Sequence, residues 1–174
     1  MALMESLHGR RAAILERWLQ GVMETYPAET GRFFTQVKDP FANPVGATLS
    51  RELAVLCDGV LGLAKPAEVA PALESLIKLR SVQDFTASQV VSFIFFLKQI
   101  AREQAGEALR AAPMAAEWAA FDARVDDLAL GAFDIYSANR EKICDIRLGE
   151  MRRKIFMLEK ASRLFDEDPE PGGS

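Results

Sequence analysis

Apolar residues in this chain recur at threes and fours almost from end to end, the spacing that gathers side chains on one face of a helix. Leu7, Ile14, Leu15, Trp18, Leu19 and Val22 mark a first helix that stops before Pro27. A shorter helix over about 28–37 is expected to carry Phe33, Phe34 and Val37 inward. A third puts Val45, Leu49, Leu53, Leu56 and Val60 on one stripe, with Gly59 and Gly62 loosening its end. Pro66 starts a fourth at a first-turn position, where a missing N–H costs nothing. That helix presents Val69, Leu73, Leu76, Ile77 and Leu79, and Pro71 predicts a kink or a later start. Thr86 to Gln89, "TASQ", has the form of a capping box. It opens the most apolar helix, running to about Gln104 and expected at the centre. Strand alternation and internal repeats are both lacking, so the predicted class is all-α.

From Met114 to Asp168 the sequence contains no proline. One continuous helix there would be about 82 Å long at 1.5 Å per residue. A compact domain of this size has a radius of gyration of roughly 16 Å. Such a helix must break, most easily at Gly131 or Gly149, or let its end project. Leu148, Met151, Ile155, Leu158, Ser162 and Phe165 alternate by three and four, and Cys144 extends the row one step back. This is the a/d seam of a left-handed coiled coil. It favours projection and a homodimer over a helix folded onto its own domain. The expected organisation is a helical domain over 1–147, a seam-bearing extension over 148–165, and an acidic tail over 166–174 whose composition predicts disorder.

Residues 38–46, "KDPFANPVG", interrupt the helical pattern. Asp39-Pro40 and Asn43-Pro44 each place a capping side chain before a proline at a first helical position. The stretch therefore predicts a packed corner more than a binding loop, with Asn43 launching the third helix and Phe41 turned into the core.

Composition adds mainly exclusions. Hydrophobic residues make up 49% and charged residues 26%, a globular balance. The net charge of −4 equals the four acids of the tail, Asp166, Glu167, Asp168 and Glu170, which leaves the body neutral. No basic surface of the kind that binds nucleic acid is implied. Apolar runs are too short for a membrane span and the N-terminus lacks a signal core, so a cytoplasmic location is expected. Cys57 and Cys144 are too few for a disulfide framework or a zinc site, and both read as buried free thiols.

His8 is the sole histidine, badly placed for an axial haem ligand and without a partner for a catalytic triad. No phosphate-binding loop, dinucleotide fingerprint or metalloprotease motif occurs. No cofactor and no metal are therefore expected. Asp134, beside Tyr136, lies within two turns of Arg140 and suggests a buried ion pair of structural rather than catalytic kind. Arg80, Gln83 and Asp84 are placed to satisfy backbone groups in the turn before the central helix. Trp18, Phe33, Phe41, Phe93, Phe96 and Tyr136 could line an internal pocket, although aromatics at helical spacing more often form core.

Four ordered segments, "ILERWLQGVMETYPAET", "KDPFANPVG", "RSVQDFTASQVVSFIFFLK" and "AFDIYSANREKICDIR", closely resemble the RsbRD N-terminal domain family over about residues 10–155. These are sensor domains of RsbR-type co-antagonists of the bacterial stressosome. The resemblance implies a globin-like helical bundle without haem, non-enzymatic, dimerising partly through a long last helix. In the family that helix leads into a STAS domain, which carries phosphorylation sites and binds a serine kinase. This sequence departs from the pattern by ending after the helix, so a stand-alone module is expected. The expectation is a sensory or regulatory homodimer that passes a signal or ligand state to an unidentified protein partner. The rival readings are a small-molecule binding protein with an internal apolar pocket, and an adaptor of a redox complex.

Overall fold

The computed structural model describes residues 2–37, 39–83, 85–106 and 114–166, and all regular structure within them is helical. In chain order the helices are α1 (Ala2–Gly9), α2 (Arg11–Met23), α3 (Ala28–Gln36), α4 (Pro44–Leu61), α5 (Pro66–Ser81), α6 (Ala87–Ser92), α7 (Phe96–Ala105) and α8 (Ala115–Asp166). A short 3₁₀ turn, Phe93–Phe95, joins α6 to α7. The all-α class and the long last helix follow the hydrophobic spacing.

The chain divides into two units, Met1–Tyr136 and Ser137–Ser174. The first contains the core. There α4 lies along α5, and α2 packs across α7 and α4. Trp18, Leu53, Leu56 and Leu76 on these helices, Phe93 in the 3₁₀ turn and Phe121 on α8 are fully buried in one core cluster. Charged pairs tie α7 to the start of α8: Arg102 donates to both oxygens of Asp122 at 3.1 and 2.6 Å, and Lys98 to Asp126 at 2.6 Å. The Leu3 N–H donates to Glu117 at 3.0 Å, fastening α1 to the same end of α8.

Three elements differ from the sequence expectation. The first helix is broken at Arg10, whose φ of −110° and ψ of 10° follow Gly9, a poor helix former. The break lets Leu3 and Leu7 join the core that buries Ile14 and Trp18. It is held where the His8 Nε2 lies 2.7 Å from the Leu61 carbonyl and Arg11 grips both oxygens of Asp58, one at 2.7 Å. Pro71 is accommodated inside α5, which starts at Pro66 after all. The central helix is not continuous but tightens into the 3₁₀ turn. There the Phe93 carbonyl accepts the indole N–H of Trp18 at 2.8 Å, a side-chain intrusion of the kind that interrupts helices. The last helix, by contrast, runs through Gly131 and Gly149 without a break.

The corner between α3 and α4 is capped as its sequence implies, but packed differently. Asn43, 2% exposed, accepts the Gly46 N–H at 2.8 Å and donates to the carbonyls of Phe34 and Val37 at 3.0 and 2.9 Å. Asp39 accepts the Phe41 N–H at 3.0 Å and sets the preceding turn. The expectation that Phe41 faces inward is wrong: its side chain is 97% exposed. The amide of Asn43 occupies the interior of the corner, which leaves the ring outside. Gly46 is required here, since a Cβ would lie 2.3 Å from the Asn43 amide nitrogen. Asn43→Ala removes the cap and leaves two carbonyls without their donor. A loss of about 2 kcal/mol is expected, the top of the range for caps, measured by denaturant unfolding. A loss near zero would mean the corner is held by Pro44 alone.

Candidate functional site

Arg80, near the end of α5, is the most unusual side chain in the first unit. It is fully buried, and among the described residues no carboxylate reaches it. Its neighbours come from three places. Thr25 and Tyr26 follow α2, Gln83 and Phe85 belong to the turn after α5, and Gln89 and Phe93 lie on α6 and the 3₁₀ turn. The guanidinium donates to the Gln89 carbonyl at 3.0 Å, to the Tyr26 hydroxyl at 3.3 Å and, from both terminal nitrogens, to Thr25 Oγ1 at 3.4 Å. Nε has no hydrogen-bond partner among the described residues.

Aromatic faces supply what carboxylates do not. The guanidinium carbon lies 4.3 Å from the ring centre of Phe85, 4.9 Å from Phe93 and 5.4 Å from Tyr26. Ring quadrupoles attract a cation most strongly when water is excluded. Burial still lowers the Arg80 pKa from its ordinary value. Tyr26 donates to Gln83 at 2.9 Å, and burial raises its phenol pKa more than the nearby cation lowers it. Among the described residues, all the hydrogen-bond acceptors around this cation are therefore neutral.

Thr25 also belongs to the wall of a cleft of about 300 Å³ between α2 and α7. Gly21, Phe96 and Ile100 form its apolar walls, and Arg17, Glu24, Gln99 and Glu103 its polar rim. Gly21 keeps the cleft open, because a Cβ there would come within 3.3 Å of the Phe96 ring.

The residues expected to form a pocket do not line one together. Trp18 and Phe93 are buried core, stacked at 6.0 Å between ring centres. Phe96 lines the cleft, Tyr136 is half-buried on α8, and Phe33 is 46% exposed beside Phe34 instead of facing inward. Arg80 and Gln83 do meet, through Tyr26, in a network of side chains beyond the backbone role expected of them. Asp84 lies outside the described residues. Asp134 and Arg140 are both exposed, which corrects the expectation of a buried ion pair. Thr25, Tyr26 and Phe85 were missed as partners of Arg80. The available signal was the polar Thr25-Tyr26 pair directly after an apolar helix end.

The two thiols also differ. Cys57 is buried as expected, and desolvation pushes its pKa up to about 11, so little thiolate forms near neutrality. Cys144 is exposed, contrary to expectation, because it lies in the second unit, where the described side chains are exposed or half-buried. With Cys144 changed to serine, a maleimide should modify Cys57 only after unfolding, as followed by intact mass. Modification of the folded protein at a rate matching the unfolded chain would contradict the burial of Cys57.

On α8 the seam positions Leu148, Met151, Ile155 and Leu158 are 47%, 55%, 56% and 70% exposed. The side chain of Phe165 and the tail beyond residue 166 lie outside the described residues. Within the described residues, no group of His, Cys, Asp and Glu is arranged to hold a metal ion, and no helix is long and apolar enough to cross a membrane.

Comparison with known proteins gives one family. The model of the RsbT co-antagonist protein rsbRD N-terminal domain matches residues 12–149. No curated protein and no solved structure matches the chain.

Proposed function

From the premise that this chain belongs to the RsbT co-antagonist protein rsbRD N-terminal domain family, whose role is stressosome-type signalling, we propose that it is a non-enzymatic sensory module working as a homodimer. The first unit receives a signal, and the seam of α8 joins two copies in parallel. The signal then shifts the two last helices between two arrangements that a partner protein distinguishes. A ligand can drive such a shift only through a difference in its affinity for the two states. The observation that carries this reading is the row of exposed apolar side chains at heptad spacing, continuous with the helix whose start is packed into the core. Ile146, Phe156 and Met157 are exposed off that row and give a partner protein an apolar surface. The module acts in the cytoplasm, without nucleic acid or membrane insertion.

Cys144 supplies the test, since it falls on the seam register. In a parallel dimer the two Cys144 thiols face each other. Mild oxidation should give a covalent dimer on a non-reducing gel, and Cys144→Ser should abolish it while Cys57→Ser should not. Exclusively monomeric product from the wild-type chain would overturn the parallel arrangement.

A further inference from the structure

We propose that the Arg80 cage and the adjoining cleft bind a small monocarboxylate, with or without an α-ammonium group. A guanidinium carries five N–H donors. Around Arg80 these find one carbonyl at 3.0 Å, three longer contacts to hydroxyls, and nothing at Nε. Among the described residues, the site is rich in donors, poor in acceptors, and positively charged without a buried counter-charge. A carboxylate supplies what is missing, two strong acceptors in the planar geometry that matches the guanidinium fork.

The route in is through Thr25. Its hydroxyl makes the longest contacts in the cage, and Thr25 is also a wall of the cleft. It donates to the Val22 carbonyl at 2.6 Å, so towards Arg80 it acts only as a weakly placed acceptor. Arg80 is fully buried and does not itself line the cleft, so the Thr25 side chain must turn aside for a carboxylate to reach the guanidinium, with a short alkyl chain then against Phe96 and Ile100. The volume, about 300 Å³, suits a ligand of a few heavy atoms. Rim charges narrow the class further. Arg17 is offset by Glu24 and Glu103, which accept from Gln20 and Gln99 at 3.0 and 2.7 Å. Two carboxylates at the mouth disfavour a doubly charged anion and accept an ammonium group.

The inference rests on the regulatory reading for its consequence. Binding itself is measured whatever the oligomeric state, so the two fail separately. The full chain is titrated with sodium butyrate and, separately, with L-2-aminobutyrate, against sodium chloride at matched ionic strength. Trp18 fluorescence and the melting temperature are followed. A saturable response to either compound, absent with chloride, is expected in the wild type. Response to butyrate identifies a plain carboxylate, and response to the amino acid alone identifies an amino carboxylate. Arg80→Met should weaken binding at least tenfold with the helical circular dichroism retained. Gln99→Trp, a change at an exposed position that fills the cleft, should abolish binding without touching the cage. No saturable response to either compound, or an unchanged response in Arg80→Met, overturns the proposal. Should Arg80→Met fail to fold, wild-type affinity in Gln99→Trp overturns it alone.

Discussion

Replacing Trp18 by alanine will lower the free energy of unfolding by about 3–5 kcal/mol, the range for deleting a buried aromatic side chain. Trp18 is fully buried, stacks on Phe93 at 20° between ring planes, and holds the Phe93 carbonyl at 2.8 Å. Two costs combine: a cavity between α2 and the 3₁₀ turn, and a buried carbonyl deprived of its outside donor. Trp18→Phe separates them, because the ring remains and the indole N–H does not. Its loss should be smaller, about 1–3 kcal/mol, the cost of an unsatisfied buried polar group. Denaturant unfolding followed by far-ultraviolet circular dichroism gives both values. If alanine costs less than about 1 kcal/mol, the packing of α2 on the 3₁₀ turn is not as described. Phe93 also faces Arg80, so the same substitutions should weaken any ligand response of the cage.

The second large effect is on association. Changing Leu148 and Ile155 together to glutamate should convert the proposed dimer to monomer across the micromolar range. Both side chains are exposed within the single chain, so its own fold loses little. In the dimer they are facing a positions, and four added carboxylates meet in the seam. In the proposed dimer Leu148 and Ile155 stand at a, and Met151 and Leu158 at d. In the parallel register the flanking g and e' positions pair Arg140 with Asp145 and Lys154 with Glu159, both favourable. Arg147 meets Arg152 and opposes. Two favourable sets against one unfavourable set are compatible with the proposed parallel alignment. Sedimentation velocity with melting curves separates the outcomes. A variant that remains dimeric with an unchanged melting curve would move the interface elsewhere.

Where the chemistry is local, the sequence was readable. The Thr86–Gln89 capping box closes as its spacing implies, with the Thr86 N–H donating to Gln89 at 2.9 Å and the Gln89 N–H to Thr86 at 3.3 Å. Asn43-Pro44 starts α4 for the same reason, since a cap depends on residues three apart. What was illegible depends on partners distant in the chain. Arg80 lies in the last turn of α5, where a basic residue normally faces water and complements the helix dipole. Its burial follows from Tyr26, 54 residues away, and from Phe93 on a different element. Phe41 misled in the opposite direction. A large aromatic between two caps suggests an anchor, yet a three-bond amide filled the corner first. The break at Arg10 leaves hydrophobic spacing almost unchanged, because both short helices bury the same stripe.

Homodimerisation through α8 is the central claim, and the solution mass of the unmodified full chain tests it most directly. Size-exclusion chromatography with light scattering, at micromolar concentration and under reducing conditions, should give twice the mass of the 174-residue chain. The mass of a single chain throughout that range would contradict it.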